Sequence, residues 1–382
     1  MKKLAKAACG ILAVSMAFSM TAMADDTWKI GGIGPTTGGA AVYGQAVKNA
    51  MELAINEINE AGGINGYQIE AENFFQDDEH DVEKSGNAYN ALKDWGMQIL
   101  LGTVTSKPCQ AVADLTAADN MFQITPSGSA VECIVNDNDF RVCFSDPSQG
   151  NLSAQYIGEH ELAEKVAIIY NSQDVYSTGI RNTFITEAEN QSFEVVDIDG
   201  SFTDDNKTDF NVQLQKAKDA EADLIFLPIY YTEASLILTQ AQKMDYAPKF
   251  FGVDGMDGIL DVENFDTALA EDVMLLTPFV ASAEDELTQN FVAKYDETYG
   301  GTPNQFAADA YDGMYIIKQI IEEADLTPDM SVSDLCEAMK TTITGISFDG
   351  LTGTGTTWDA SGEPTKEPKA MIIKNGVYEA ME

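Results

Sequence analysis

The sequence predicts an α/β fold built from two Rossmann-like lobes, each a parallel sheet flanked by helices. Its 382 residues suffice for two domains with full hydrophobic cores. Short apolar strands alternate with segments of helical periodicity in two successive series, which is typical of parallel sheets covered by helices on both faces. Hydroxyl-rich loops follow two of the strands, and α/β proteins bind ligands at such strand ends.

The first series of elements spans residues 28–125. Pro108 suits the first turn of a helix because proline lacks the N–H that would go unpaired there, so Ser106 is predicted to cap that helix. The sequence Ala61-Gly62-Gly63 marks a helix end and a turn. We predict strands at 28–33 and 68–75, strand ends at 100–102 and 124–125, and helices at 47–60, 82–95 and 108–119.

The second series begins after Phe144. We predict strands at 165–170, 193–198, 223–229, 250–253 and 274–277, helices at 176–190, 210–220 and 234–243, and then three more helices at 286–299, 307–324 and 332–341. The last helix has nothing to pack on in its own stretch, so the chain is expected to cross between lobes near Thr277 and again near 350–357. Together with the passage from the first series to the second after Phe144, these crossings form a three-stranded hinge, which permits closure around a ligand.

These crossings divide the chain into a signal peptide and two lobes. Residues 1–24 are the predicted signal peptide, residues 25–144 and 277–350 the first lobe, and residues 145–276 and 351–382 the second lobe. In the signal peptide, three lysines precede an apolar run that ends in Ala22-Met23-Ala24 before Asp25. The mature protein is therefore expected in the periplasm or an equivalent extracytoplasmic compartment. Cys9 precedes the apolar run rather than following it, so no lipid anchor is predicted.

The chain is strongly acidic. Its 62 acidic and 22 basic residues give a formal charge of −40, which becomes −43 when the three lysines of the signal peptide are removed. A polyanion of this size repels nucleic acid, so no nucleic-acid partner is expected. Because the acids are spread along the chain, we interpret them as a solvated surface.

Polar side chains at the strand ends suggest a clamp for a zwitterion. Unpaired N–H groups near Ser106 and Ser129 favour an anion such as a carboxylate, and Asp254 follows an apolar strand of the second series, where it can meet an ammonium. Charge-assisted hydrogen bonds of this kind contribute roughly 1.5–3 kcal/mol each. The plainer alternatives are a helix cap for Ser106 and a turn acid for Asp254.

Aromatic residues could line the same cleft. Tyr43, Val104 and Phe306 could form an apolar wall for a side chain, although each could also be core. Tyr230 stands at the end of the 223–229 strand, and Tyr176 opens a helix, where an aromatic side chain usually packs.

No motif indicates a catalytic centre, a cofactor or a metal. Gly31-Gly32-Ile33-Gly34-Pro35 departs from the dinucleotide pattern, and neither a Walker A motif nor a G-x-S-x-G elbow is present. The acidic run 76–81 lacks EF-hand spacing and is interpreted as a solvated loop. We expect no cofactor, no metal and no enzymatic activity. Export permits a disulfide between one pair of Cys109, Cys133 and Cys143, and the sequence does not select the pair.

In order along the mature chain, several segments resemble the leucine/isoleucine/valine-binding protein family, the type I periplasmic solute-binding proteins of ABC transporters. The resemblance covers nearly the whole mature chain. The segments are Ile30 to Gly44, the Ala61-Gly62-Gly63-Ile64-Asn65-Gly66 turn, Gly102 to Ser106, Ile124-Thr125-Pro126, Phe140-Arg141-Val142 with Asp146 and Gln149-Gly150, Tyr176, Phe251-Gly252, and Thr357-Trp358-Asp359.

The resemblance implies a role for each candidate residue. Ser106 and Ser129 would hold the ligand carboxylate, the carbonyl of Ser127 would accept from the ammonium, and Asp254 stands where the family often has a glutamate as counter-ion. Tyr176 and Tyr230 would close over the ligand, while Tyr43, Val104 and Phe306 would contact its side chain. Thr105 replaces a cysteine that some members use in a disulfide. Because Asp254 is one methylene shorter than the family's glutamate, the identity of the ligand stays open.

The implied function is import of a branched-chain or related aliphatic amino acid. A monomer would deliver it to an ABC transporter permease. The alternatives are a binding protein or sensor for another small solute, such as an amide or an aromatic acid, and a secreted enzyme.

Overall fold

The structure, a computed structural model, describes residues 26–381, so the predicted signal peptide lies outside the described residues. Strands and helices alternate through most of this range. The strands are β1 (Ile30–Gly34), β2 (Phe75–Asp77), β3 (Ile99–Gly102), β4 (Gln123–Thr125), β5 (Asp139–Arg141), β6 (Lys165–Ile168), β7 (Tyr170–Asn171), β8 (Glu194–Val195), β9 (Ser201–Phe202), β10 (Leu224–Leu227), β11 (Lys249–Gly252), β12 (Met274–Thr277), β13 (Phe348–Gly350), β14 (Gly353–Thr356), β15 (Lys369–Lys374) and β16 (Val377–Ala380). The helices are α1 (Ala41–Glu60), α2 (Val82–Trp95), α3 (Ser106–Asp119), α4 (Asp146–Glu159), α5 (Val175–Ala188), α6 (Asn211–Asp219), α7 (Tyr231–Lys243), α8 (Glu286–Tyr299), α9 (Gln305–Glu323) and α10 (Val332–Ile343).

The first sheet has five parallel strands in the order β2-β1-β3-β4-β5. Its inner strands β1 and β3 are fully buried, as expected for a sheet with helices on both faces. Helices α8 and α9 pack on α1, and α10 packs on α9. The helices that follow β12 in the chain therefore lie beside the first sheet.

The second sheet has seven strands in the order β16-β15-β12-β11-β10-β6-β8. Strands β8, β6, β10, β11 and β12 are parallel, whereas β15 and β16 pair antiparallel at one edge. Strand β10 alternates between two cores, because Leu224 and Phe226 belong to one buried cluster and Ile225 and Leu227 to another. Apolar side chains on both faces explain why this strand appears as a continuous hydrophobic run.

Three segments connect the two sheets, at residues 142–145, 278–285 and 357–368. The third segment is tied to the first sheet, because the Trp358 indole donates to the carbonyl oxygen of Arg141 at 2.8 Å. Lys366 is also buried there, with its ammonium 3.3 Å from a carboxylate oxygen of Asp309 on α9. These contacts hold the connecting segments in place.

Several elements differ from the sequence-based prediction. The strand predicted at 68–75 is wrong in position: residues around Ile69 make a single bridge to Trp28, and the ladder with β1 begins only at Phe75. Between these two contacts Asn73 has a positive φ of 61°, which interrupts the extended backbone. Helix α4 and the hairpins β13–β14 and β15–β16 were not predicted at all.

Among residues 26–381, no helix has the length and apolar character needed to cross a membrane.

Candidate functional site

A closed cleft lies between the carboxyl ends of the two sheets. One small cavity in it brings together eight of the nine residues singled out from the sequence: Tyr43, Val104, Ser106, Ser127, Tyr176, Tyr230, Asp254 and Phe306. Thr105 and Gly255 complete its lining. Residues from both sheets therefore form a single candidate site.

On the side of the first sheet, the site is built on the N-terminus of α3. The predicted cap was wrong by one residue: Thr105 occupies the N-cap and Ser106 is the first helical residue. The Thr105 hydroxyl makes no capping bond and lies 2.8 Å from Nδ1 of His80. The first N–H groups of this 14-residue helix therefore have no side-chain cap, and such groups favour an anion.

The serine hydroxyls of this side bond to the loops that carry them. Ser106 Oγ accepts from the backbone N–H of Ala130 at 3.2 Å, and Ser127 Oγ donates to the carbonyl of Val104 at 2.7 Å. The Ser106 hydroxyl can still donate a hydrogen bond to a ligand. These bonds also join the loop after β3 to the loop after β4.

Ser129 is the one predicted residue that does not line the cavity. Its backbone carbonyl accepts from the buried Arg141 guanidinium, and its hydroxyl faces Asp146. The guanidinium also donates hydrogen bonds to the carbonyl oxygens of Gly128, at 3.4 Å, and Ala130, at 3.1 Å. Arg141 thus fixes the loop so that the Ser129 side chain turns away from the cavity.

On the side of the second sheet, Asp254 is the only carboxylate among the described residues that lines the cavity. It begins a short 3₁₀ turn directly after β11 and is 3% exposed. The Tyr176 hydroxyl donates to Asp254 Oδ1 at 2.6 Å and accepts from the N–H of Gly255 at 2.9 Å. Burial raises the pKa of Asp254 to about 6, although the Tyr176 hydrogen bond acts in the opposite direction. A buried carboxylate of this kind is suited to pairing with a cation.

Aromatic rings fill most of the space between these two sides. The Tyr43 and Phe306 ring centroids lie 4.1 Å apart, and Tyr176 stacks on Tyr230 at 4.8 Å. The remaining cavity is only about 10 Å³, about the volume that one water molecule needs. A ligand can therefore enter only when the two sides separate.

Hydrogen bonds across the cleft hold the two sides together. The Tyr43 hydroxyl donates to the carbonyl of Gly255 and accepts from the N–H of Tyr231 at 3.2 Å. The Tyr231 hydroxyl in turn accepts from the N–H of Val42 at 3.1 Å. Tyr43 thus has two functions in this geometry, as an aromatic wall of the cavity and as a latch of the closed cleft.

We expect Tyr43→Phe to weaken ligand binding about five- to 150-fold, because the closed state loses two hydrogen bonds worth about 0.5–1.5 kcal/mol each while the aromatic wall remains. Titration calorimetry with the cognate ligand measures the change. Tyr246→Phe is the matched control, since its hydroxyl donates to Ala222 within the second-sheet half. Equal affinities for Tyr43→Phe and wild type would contradict the latch.

Two glutamines that support the site were missed as site residues. Gln149 Oε1 accepts from the N–H of Asp254 at 3.1 Å, and Gln305 Nε2 donates to the carbonyl of Asp254 at 3.1 Å. They come from α4 and from the first residue of α9. Gln149 stands in a segment quoted for the family resemblance, whereas nothing in the local sequence marks Gln305.

The four described cysteines are all buried thiols, so the expected disulfide is not present. Cys109 and Cys133 nonetheless belong to the same small buried cluster, and the neighbouring Cys133 lowers the pKa of the Cys109 thiol. Proximity alone leaves two thiols, since a disulfide also requires an oxidant.

Within residues 26–381, no group of three or more His, Cys, Asp or Glu side chains is arranged to hold a metal ion.

Two α/β sheets that enclose a buried cleft, with a carboxylate on one side and a helix N-terminus on the other, define a bilobal ligand-binding protein. The chain belongs to the periplasmic binding protein family, whose model matches residues 27–376. The predicted resemblance to the leucine/isoleucine/valine-binding proteins is thereby confirmed.

Relatives support this assignment over most of the chain. The leucine-, isoleucine-, valine-, threonine- and alanine-binding protein of Pseudomonas aeruginosa is 28% identical over 314 residues, which cover 80% of this chain and 81% of that protein. The Leu/Ile/Val-binding protein of Escherichia coli K12 is 26% identical over 267 residues, 69% of this chain and 71% of that protein.

Solved structures confirm the predicted type I fold. The branched-chain amino acid transporter substrate-binding protein LivJ of Streptococcus pneumoniae, in complex with isoleucine, superimposes with a TM-score of 0.82 at 26% identity, over 93% of this chain and 98% of that one. A solute-binding protein of Rhodopseudomonas palustris BisB5, in complex with 3,4-dihydroxybenzoic acid, gives a TM-score of 0.79 at 18% identity, over 93% and 97%. At that identity the second match supports the fold alone.

Proposed function

We propose that this protein is the extracytoplasmic substrate-binding component of an ABC importer, and that it binds a branched-chain or related aliphatic amino acid in the cleft. The observation that carries the proposal is the pairing of two opposite polar sites in one closed cavity. Asp254 lies on one side, and the N-terminus of α3 with Ser106 lies on the other. This charge arrangement complements the ammonium and the carboxylate of an α-amino acid.

The proposed binding mode follows from these groups. The ligand ammonium pairs with Asp254 and the carbonyl of Ser127, and the ligand carboxylate takes N–H groups of α3 and the Ser106 hydroxyl. The ligand side chain contacts Tyr43, Val104 and Phe306, which must move apart from their described packing to make room for it. A dissociation constant of one micromolar corresponds to about −8.2 kcal/mol, which a buried zwitterion and one apolar side chain can supply.

Transport requires an open state and a closed state. We propose that residues 25–144 with 277–350, and residues 145–276 with 351–382, act as the two lobes, and that they rotate about the three connecting segments. Ligand stabilises the closed state only through contacts it makes there and not in the open state. The closed protein would then be recognised by a membrane permease. The family assignment and the relatives named as Leu/Ile/Val-binding proteins support this function.

Binding should depend on pH through Asp254. The ionised carboxylate pairs with the ammonium, so ligand binding favours the ionised form, and protonation of the free protein competes with binding. With the pKa of Asp254 near 6, we expect constant affinity above pH 7 and a loss of about tenfold per pH unit below pH 6. Calorimetry between pH 5 and pH 8 measures it. Unchanged affinity at pH 5 would contradict this role.

The proposal is tested by a thermal-shift screen of the mature protein, freed of co-purified ligand by unfolding and refolding, against the twenty amino acids, small amides and aromatic acids. Ligand at 100 times its dissociation constant stabilises the folded state by about 2.7 kcal/mol. Stabilisation by leucine, isoleucine or valine supports the proposal. If all amino acids fail while an amide or an aromatic acid succeeds, the zwitterion site is wrong.

A further inference from the structure

A second cavity, the side cavity, adjoins the candidate ligand site in the same cleft. It measures about 90 Å³ and draws its lining from the loops of both sheets, including Gly39, His80, Asp174, Asp204, Tyr230 and Glu233. Tyr230 lines both cavities, so its ring stands between them. A ligand side chain that passes this ring leaves the aromatic walls and enters a polar space.

Four carboxylates line the side cavity, and lysines compensate three of them. The ion pairs are Glu79 with Lys84 at 2.5 Å, Asp204 with Lys107 at 3.2 Å, and Glu233 with Lys207 at 3.5 Å. Burial lowers the pKa of His80 to about 4, so its imidazole is neutral and adds no positive charge. The fourth carboxylate, Asp174, has no such lysine among the described residues.

Asp174 is placed to meet a ligand. It occupies the N-cap of α5 and is 5% exposed. The carboxylate approaches the N–H of Tyr176, whereas its Oδ1 atom is buried and has no hydrogen-bond partner in the described part of the chain. The buried hydroxyl of Tyr230 also lacks a partner there. Burial raises the pKa of Asp174 to about 7, and the opposing effects of the Tyr176 N–H and of the Lys107 charge are smaller.

We propose that the side cavity binds a cationic group at the end of the ligand side chain, with Asp174 as its counter-ion and the Tyr230 hydroxyl as a second acceptor. This inference rests on the proposed function, because it takes the α-ammonium and α-carboxylate to be held by Asp254 and the α3 N-terminus. It extends the ligands from aliphatic amino acids to those whose unbranched aliphatic chain ends in an ammonium. Ornithine is the simplest probe of this class.

The test compares L-ornithine with L-norvaline, which has the same carbon chain but no terminal ammonium. Affinities are measured by calorimetry on ligand-free wild type, Asp174→Asn and Asp205→Asn. Asp205 is an exposed neighbour that does not line the cavity, so its variant controls for net charge. We expect wild type and Asp205→Asn to bind ornithine at least tenfold more tightly than norvaline, and Asp174→Asn to lose that preference.

Two results would overturn the side-cavity inference, and a third would overturn the proposed function. Wild type that binds norvaline as tightly as ornithine overturns the side-cavity inference while the proposed function stands. Asp174→Asn that keeps the preference also overturns it. If wild type binds neither of these ligands nor leucine, the proposed function itself fails. The comparison on wild type needs no variant, so the test holds even if Asp174→Asn does not fold, which circular dichroism will reveal.

Discussion

Asp254→Asn should weaken amino-acid binding by more than an order of magnitude. The substitution keeps the shape of the side chain and removes the one carboxylate that residues 26–381 contribute to the ligand cavity. Removing one partner of a buried, hydrogen-bonded charge pair costs about 2–5 kcal/mol, which lowers affinity by roughly 30-fold to several thousandfold. Titration calorimetry on refolded, ligand-free protein measures the loss.

The fold should survive this change. Without ligand, Asp254→Asn is expected to melt at or above the wild-type temperature, because a buried charge has been removed. Asp219→Asn, at the exposed end of α6, removes the same charge far from the cleft and should leave affinity unchanged. Wild-type affinity for Asp254→Asn would show that the ammonium is held elsewhere.

Arg141→Met should cause a large loss of stability. The guanidinium is fully buried, donates to the carbonyls of Gly128, Ser129 and Ala130, and forms an ion pair with Glu363 at 3.1 Å. Methionine fills the volume but leaves three buried carbonyls without this donor. We expect a loss of about 3–5 kcal/mol and a fall of about 4–7 °C in the melting temperature.

Two further variants isolate the cause of that loss. Arg141→Lys keeps the positive charge but cannot span the carbonyls as the planar guanidinium does, so we expect it to be destabilised to an intermediate degree. Lys216→Met removes an exposed ion pair with Asp199 and should cost less than about 1 kcal/mol. Scanning calorimetry compares the three proteins. A wild-type melting temperature for Arg141→Met would contradict a structural role for the guanidinium.

Local periodicity sufficed to predict the elements with strong, uninterrupted patterns. The bounds of α2, α8 and β12 agree with the prediction. Helix α4 was missed because Pro147 and Gly150 near its start suggest a loop. Tertiary packing explains the glycine: a β-carbon at position 150 would lie 2.0 Å from the Thr183 hydroxyl of α5. The close approach of α5 therefore requires glycine at position 150, although glycine has a low helix propensity.

The sequence was sufficient to predict those site residues that follow the end of a strand. Ser106 and Asp254 each follow a strand, and the fold brings these strand ends to one cleft. The orientation of Ser129 was not predictable, because it depends on Arg141, a residue twelve positions later on the neighbouring strand. That Asp174 has no ion pair was equally hidden, since this emerges only from where α2, α3 and the loop after β9 place Lys84, Lys107 and Lys207.

The tightness of the cleft also has a kinetic consequence. The cavity of about 10 Å³ beside the Tyr43 hydrogen bonds is too small to admit a ligand, so we expect ligand exchange to require opening of the cleft. If both states exist without ligand, the observed association rate should level off at high ligand concentration, at the rate of opening. Dissociation would be limited by the same gate, so the protein retains its cargo until something else opens the cleft. A permease that pulls the two halves apart would thereby control release.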